Sequence, residues 1–287
     1  MEDALSRPIF ILGCGRSGTT LTGELIGRHP GVRYLNEPRH LWTVDPRTDT
    51  WSRPHAQVVL TNEDVTSDVA NDLRRAFSAK SRSANRRRIV EKTPINCFRV
   101  RYIDSIFPDA HFVHVLRDGR DVAASIGELC KTDGRSPSRR VSLMSRARGS
   151  NKWGPWYGKE DVKWHALRDL ASDDGVPYLS AADSDPLLRG LVEWRLATTS
   201  ACRDLAAIDA SRCVEFRYEE LVRAPGETMS RVLDAVNLAP DSGVTGQALR
   251  RVSGRPTRRS PLSKEGEAIA GGLLTELGYL RPEENTP

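Results

Sequence analysis

"FILGCGRSGTTLTGELIGRHP", residues 10–30, passes from an apolar run through a glycine turn into a helical pattern. Ile9 to Leu12 are apolar, Gly13, Gly15 and Gly18 punctuate the turn, and the chain from Thr19 reads as a helix. Backbone N–H groups at such a strand–turn–helix junction converge on one anion, and the helix dipole assists them. The nucleoside-triphosphate form of this loop reads G-x-x-x-x-G-K-[ST], with its lysine reaching the β- and γ-phosphates. Gly13 and Gly18 keep that separation, but Thr19 stands where the lysine belongs, and Arg16 is the cation inside the loop. Arg16 offers a planar fork suited to oxyanions, and Ser17, Thr19 and Thr20 add hydroxyl donors. The loop reads as an anion site without the triphosphate lysine.

Outward from it, short β-branched runs alternate with helical patterns. "PIFILG" (8–13), "RRIVEKTP" (87–94), "AHFVHVLRD" (110–118) and "CVEFRYEEL" (213–221) read as buried strands. Helices are expected over "TTLTGELIGRH", over "TSDVANDLRRAFSAK" capped by Thr66 or Ser67, and over "GRDVAASIGELC". Two more are expected: the long "DPLLRGLVEWRLATTSACRDLAAI", with Asp185 or a neighbour as cap and Pro186 in its first turn, and "PGETMSRVLDAVN". The pattern predicts an α/β fold of the P-loop type, three layers with a central parallel sheet flanked by helices. Ligands of such sheets bind beyond the carboxyl ends of the strands.

The 287 residues suffice for one large α/β domain or two small ones, with a core that needs no disulfide or structural metal. Five cysteines, Cys14, Cys97, Cys130, Cys202 and Cys213, show no C-x-x-C spacing, which argues against a disulfide framework and against a zinc site. Cys14 reads as a small loop filler, with a nucleophilic thiol as the alternative. Apolar runs fall far short of the roughly 20 residues of a membrane span. The N-terminus reaches the first strand at once, leaving no room for a signal peptide, so a cytoplasmic protein is expected. Net charge is +5, with arginines crowded at "NRRRIVEK", "SPSRRVSLMSRARGS" and "LRRVSGRPTRRS". Without a helix-turn-helix, zinc-finger or aromatic strand pattern, these patches point to a small polyanion and not to nucleic acid.

The other strand ends sharpen this reading. A Walker-type site needs an Asp on a second strand to hold Mg²⁺. Here "EKTP" supplies Lys92 instead, and "LRDGRDVAAS" supplies Arg117 with Ser125 eight residues on. Four segments in this order resemble the PAPS-dependent sulfotransferases, whose donor is 3′-phosphoadenosine 5′-phosphosulfate. "GCGRSGTTL" resembles the 5′-phosphosulfate loop in the R-S-G-T-T form of the tyrosylprotein and bacterial branches. "EKTP" resembles the lysine-bearing strand end, "VLRDGRDVAAS" the 3′-phosphate motif, and "FRYEELVRAPGETMSRVLDAVNL" the R-Y-E-[DE]-L segment with its following helix. The resemblance runs from about residue 8 to 238.

It implies that Gly15, Arg16, Ser17, Gly18, Thr19 and Thr20 cradle the 5′-phosphosulfate, that Arg117 and Ser125 bind the 3′-phosphate, and that Tyr218 lies near the adenine. Lys92 would neutralise the leaving phosphate, with Arg16 as a second electrostatic catalyst and adenosine 3′,5′-bisphosphate as product. No metal is implied. The histidine that follows the lysine motif in cytosolic members is missing from "KTPINCFRVRY". The tyrosylprotein-type branch places a Glu after an H-P motif, and "RHPGVRYLNEPRHLW" puts Glu37 there, at a Pro-flanked turn after a short strand. His40 is its competitor for the role of base. Arg258 and Arg259, with Arg255, stand where the family often closes a basic loop over the 3′-phosphate, though the R-K-G triplet is missing and a plain solvated loop is the alternative.

The whole chain, 1–287, is expected to form one domain. Within it, 128–183 carries Trp153, Trp156, Tyr157 and Trp164 and reads as a lid or acceptor-binding insertion, or as a surface excursion stapled by tryptophans. The resemblance implies transfer of a sulfuryl group to a hydroxyl or amine of a small-molecule or carbohydrate acceptor. An atypical P-loop kinase and a nucleotide-binding protein without catalysis are the alternatives. His114 is expected as a hydrogen-bonded core residue and Trp194 as a core anchor.

Overall fold

The computed structural model describes residues 6–50, 57–85, 87–132, 162–252 and 261–281. Its chain divides into two compact units, Met1–Arg117 with Ala197–Thr257 and Asp118–Leu196 with Arg258–Pro287.

The first unit is built on five parallel strands, β1 (Ile9–Leu12), β2 (Val32–Asn36), β3 (Arg88–Lys92), β4 (His111–Leu116) and β5 (Cys213–Arg217), in the order β2-β3-β1-β4-β5. Ile11 pairs with both Lys92 and Val113, Asn36 with Lys92, and Leu116 with Arg217. All five carboxyl ends therefore share one edge of the sheet. β1 and β4 are buried along their whole length, while the edge strands β2 and β5 are only partly so. That is why the central strands read as unbroken apolar runs and the edge strand β2 does not.

Side-chain alternation sends Ile9, Ile11, Val113 and Val115 to one face and Phe10 and Phe112 to the other. The first face packs on α1 (Thr19–Ile26), α10 (Pro225–Ala235) and α11 (Ser242–Val252) through Leu25, Ile26, Met229, Val232, Val244 and Val252. Each such side chain stabilises the fold by about 1.5–3 kcal/mol on burial. On the other face Phe10 lies 5.4–6.1 Å from the rings of Trp42, Phe77, Phe107 and Phe112. Trp42 ends α2 (Arg39–Trp42), and Phe77 belongs to α3 (Ser67–Ser83), whose cap is Thr66, accepting from Val69 N at 3.3 Å. α4 (Val100–Ile106) completes this layer.

The sequence overran one strand. "CVEFRYEEL" is strand only to Arg217, and Tyr218–Arg223 is helix α9. Apolar spacing of a short run does not separate the two periods, and Glu219 and Glu220 suit a helical first turn. Of the C-terminal basic stretch, Arg250 and Arg251 end helix α11, and Lys264 opens α12 (Lys264–Glu276). Arg255, Arg258 and Arg259 lie outside the described residues.

The second unit contains α5 (Gly119–Lys131), α6 (Val162–Asp173), α7 (Leu179–Ala182), the first part of α8 (Pro186–Leu205) and α12. Asp185 does begin α8, accepting from Leu187 N at 2.8 Å. Trp194 is fully buried against Gly119, where a Cβ would meet the indole at 2.5 Å. Lys163 and Glu193 form a buried ion pair. Trp164 donates to Asp183 at 3.0 Å, and Arg168 holds the same carboxylate with two bonds. Of the segment 128–183, residues 133–161 with Trp153, Trp156 and Tyr157 lie outside the described residues. No described helix is long and apolar enough to cross a membrane.

Candidate functional site

The carboxyl edge of the sheet gathers one feature from every strand of the first unit. After β1 the chain makes its glycine turn and enters α1. Gly13 and Gly18 have φ of 145° and 96°, in the region that only glycine adopts without strain. A Cβ on Gly13 would meet the Val115 carbonyl at 2.7 Å, and one on Gly18 would meet the Tyr218 ring at 2.4 Å. Glycine is required at both positions by conformation and by space. Ser17 N donates to the Cys14 carbonyl at 3.1 Å, closing the turn, and Gly13 N donates to Cys97 Sγ at 3.1 Å. Ser17, Thr19 and Gly15 are buried in the loop wall, while Arg16 and Thr20 face outward. Arg16 takes a φ of 74°, a strained position for a residue with a Cβ.

β4 delivers Arg117. Its Nη1 donates to the Arg16 carbonyl at 2.8 Å, and its guanidinium lies 4.5 Å from the ring centroid of Tyr218, the first residue after β5. Tyr218 is buried between these neighbours, so Arg117 and Tyr218 together fix the far wall of the glycine loop.

β2 and β3 deliver the other pair. Lys92 ends β3 in register with Ile11 and Asn36, and Glu37 follows Asn36 directly. Lys92 Nζ lies 2.6 Å from Glu37 Oε1, the two side chains only 1% and 7% exposed. Glu37 has a φ of 51°, and its N donates to the Lys92 carbonyl at 2.8 Å. Such a left-handed, non-glycine residue costs on the order of 1–3 kcal/mol, and it is held here by the backbone bond and the ion pair. His40, the competing candidate, is exposed on α2.

Two contributors were not singled out from the sequence. Cys97 anchors Gly13, and nothing in its spacing signals this. Glu91 is fully buried beside Lys92 and accepts from Trp42 at 3.0 Å, from Asn96 at 3.0 Å and from Thr93. Burial pushes its carboxyl up to about 7. It ties the end of β3 to α2, and so to the turn that carries Glu37. An acidic residue inside a buried strand was the available signal.

The structure thus brings Gly15, Arg16, Ser17, Gly18, Thr19, Thr20, Glu37, Lys92, Arg117 and Tyr218 to one edge. Ser125 is half-buried on α5 and belongs to the second unit. Three cationic side chains, a glycine turn at a helix N-terminus and a carboxylate beside one cation are an arrangement able to bind an oxyanion and to exchange a proton.

Comparison with known proteins agrees with this chemistry. Protein-tyrosine sulfotransferase 2 of Gallus gallus is 22% identical over 294 residues, covering 96% of this chain and 67% of the relative. The Drosophila melanogaster protein-tyrosine sulfotransferase is 25% identical over 78% of this chain and 37% of its own length. Protein-tyrosine sulfotransferase 1 of Danio rerio is 33% identical over 39% of this chain and 33% of its own. The chain therefore spans only about a third of the length of the latter two. In fold it is similar to the sulfotransferase domain from the curacin biosynthetic pathway, with a TM-score of 0.54, 14% identity and 97% and 99% of the two chains covered. It is also similar to sulfotransferase STF9 from Mycobacterium avium, with a TM-score of 0.53, 15% identity and 95% and 77% covered. The model of the Sulfotransferase family matches residues 8–153, just over half of the sequence, and the chain belongs to that family.

Proposed function

We propose that this protein transfers a sulfuryl group from PAPS to a hydroxyl, or an amine, of a small-molecule or carbohydrate acceptor. The observation that carries the proposal is the buried Lys92–Glu37 pair, 2.6 Å across and in register with the strand that feeds the glycine loop. The cradle fits the donor: the loop has glycine where a Cβ would fill it, hydroxyls from Ser17 and Thr19 in its wall, and no triphosphate lysine. Arg16, Ser17, Gly18, Thr19 and Thr20 hold the 5′-phosphosulfate in this reading, and Arg117 takes the 3′-phosphate. Ser125 and the adenine contact of Tyr218 rest on the family resemblance.

In the transfer the acceptor oxygen attacks sulfur in line with the bridging oxygen. The new S–O bond forms as the bridging S–O bond breaks, the bond's electrons pass to the 5′-phosphate, and the acceptor proton goes to Glu37. Lys92 meets the charge growing on the leaving phosphate, where a fixed cation in a dry site acts most strongly. Before the donor arrives, Lys92 and Glu37 hold each other at 2.6 Å, out of water. A donor oxyanion competes for Lys92 and leaves the Glu37 carboxylate to the acceptor. Arg16 adds a second cation at the mouth of the loop.

The relatives named as protein-tyrosine sulfotransferases favour a second reading, in which the acceptor hydroxyl is a tyrosyl side chain. Calorimetric titration with adenosine 3′,5′-bisphosphate, beside ATP with and without Mg²⁺, tests the donor. Magnesium-independent binding of the bisphosphate, weakened at least tenfold in Arg117→Ala, is expected. Binding of Mg·ATP with no response to the bisphosphate overturns the proposal in favour of a kinase. Labelled PAPS offered to hydroxylated metabolites, sugars and tyrosyl peptides then decides the acceptor class.

A further inference from the structure

A second cluster lies in the first unit, on β4, β5 and the end of α8, and its three side chains have no part in the proposed transfer. His114 on β4 and Glu215 on β5 are register partners, and Cys202 comes from the last turn of α8. One ligand atom from each, an imidazole nitrogen, a thiol sulfur and a carboxylate oxygen, lie within 4.8 Å of one another. The His114 side chain is only 2% exposed, whereas that of Glu215 is 52% exposed. Cys202 is half-buried. One side of the cluster is fixed inside the sheet and the other opens to water.

We propose that His114, Cys202 and Glu215 form a zinc-type site that holds one divalent transition-metal ion with a water as fourth ligand. The donor set decides the class of ion. A thiolate and an imidazole favour the borderline-soft Zn²⁺ over Mg²⁺ or Ca²⁺, and Zn²⁺ accepts a carboxylate as its third protein ligand. Tetrahedral bonds of about 2.0 Å to N and O and about 2.3 Å to S put ligand atoms about 3.3–3.5 Å apart. From separations of at most 4.8 Å the cluster needs to close on the ion, and the His114–Glu215 contact, now a 2.8 Å hydrogen bond, needs to open. Glu215, half exposed, has room on its solvent side for that second move. On metal entry the thiol proton passes to solvent and the ion takes its place.

The site would fasten an edge strand. Among the described residues β5 pairs with β4 alone, and it begins at a short 3-10 turn, Ala210–Arg212. An ion shared by β4, β5 and α8 closes that edge, and the strand leads directly into Tyr218. No cysteine spacing announces it, because the three ligands come from three separate elements.

The test uses the full chain, stripped with a chelator and titrated with Co²⁺ and then Zn²⁺. One equivalent of Co²⁺ should give tetrahedral visible bands and a thiolate charge-transfer band in the near ultraviolet, both bleached by Zn²⁺. Cys202→Ser should abolish the charge-transfer band while Cys213→Ser leaves it unchanged. Glu215→Gln, which keeps the shape of a half-exposed side chain, should weaken binding by at least the roughly 10–100-fold that even outer-sphere partners are worth. Zn²⁺ should also protect Cys202 from alkylation, read by mass spectrometry on the wild-type chain. A Co²⁺ spectrum without thiolate character, or Cys202 alkylation at the same rate with and without Zn²⁺, overturns the proposal.

Discussion

Among the described residues two buried lysine–glutamate pairs occur, and their difference separates a candidate site from a scaffold. Lys92 and Glu37 meet at the carboxyl edge of the sheet, and Lys163 and Glu193 meet between two helices of the second unit. Exposure is similar, at 1% and 7% for the first pair and 7% and 7% for the second. Their settings are not. Glu37 sits in a left-handed conformation at a strand end and is held by a backbone bond to its own partner. Lys163 and Glu193 lie inside the regular helices α6 and α8. Backbone strain persists only where surrounding structure over-determines it, and such places concentrate at working sites. Burial of an ion pair alone says little, since a well-packed apolar pair often does as well for stability.

Breaking each pair in turn tests that contrast. Glu37→Gln keeps the shape and the hydrogen bond but removes the carboxylate proposed as base. Sulfuryl transfer should fall by about 10²–10⁴-fold, with bisphosphate affinity within a few-fold of wild type, read by single-turnover kinetics and calorimetry. Wild-type-like turnover removes Glu37 from the mechanism. Lys163→Met leaves the Glu193 carboxylate buried without its lysine and should cost about 3–5 kcal/mol in urea unfolding, most of it recovered in Lys163→Met/Glu193→Leu. The comparison breaks if Lys163→Met loses transfer at full stability, for the second pair would then be part of the chemistry.

A third buried carboxylate sharpens the point. Glu91 neighbours Lys92 in the chain but faces the aromatic layer, and its hydrogen bonds come from Trp42, Thr93 and Asn96, all neutral donors. Burial therefore dominates, and the carboxyl rises from 4.5 to about 7. Between those values the folded chain holds a proton that the unfolded chain has released, so this group's contribution to stability is lost as pH rises through the window. The span corresponds to roughly 3 kcal/mol. Glu91→Gln should remove that slope. Its amide can face a flipped Asn96, whose buried Oδ1 has no hydrogen-bond partner among the described residues. Urea unfolding at pH 5 and pH 8 should show the variant gaining on wild type at the higher pH, and parallel curves would refute the assignment.

The sequence made the site legible where the chemistry was local. The glycine loop, Lys92 at "EKTP" and Arg117 after β4 each follow a strand whose apolar run is visible, so their placement at one edge follows from parallel topology alone. The contact between Lys92 and Glu37 was not legible. They are 55 residues apart, and only the pairing of Asn36 with Lys92 brings them together. The same holds for Cys97 against Gly13, at a separation of 84 residues. Among the described residues, helices α2, α4, α7 and α9 were missed because they are short, four to seven residues, and packing rather than amphipathic periodicity defines them, and α6 was missed inside the segment read as an insertion. α11 and α12 were hidden behind an arginine-rich stretch whose composition resembles a loop.

The smallest expected effect probes what distinguishes the first pair, namely its neighbour, the glycine loop. Gly18→Ala leaves Lys92 and Glu37 untouched in sequence but adds a Cβ at a φ of 96° and 2.4 Å from the Tyr218 ring. Neither the backbone nor the aromatic ring can yield cheaply, because Arg117 lies over that ring and also holds the Arg16 carbonyl. The strain of about 1–3 kcal/mol has to be relieved by moving the loop off its anion-binding shape. Bisphosphate affinity should therefore fall about 10–100-fold, while global stability changes by less than in Lys163→Met. If the donor's KM rises and the rate at saturating donor is preserved, the loop serves binding and the pair serves transfer. A loss of rate at saturation with unchanged affinity would instead mean that the loop's shape acts through Lys92, and that the two halves of the site are one device.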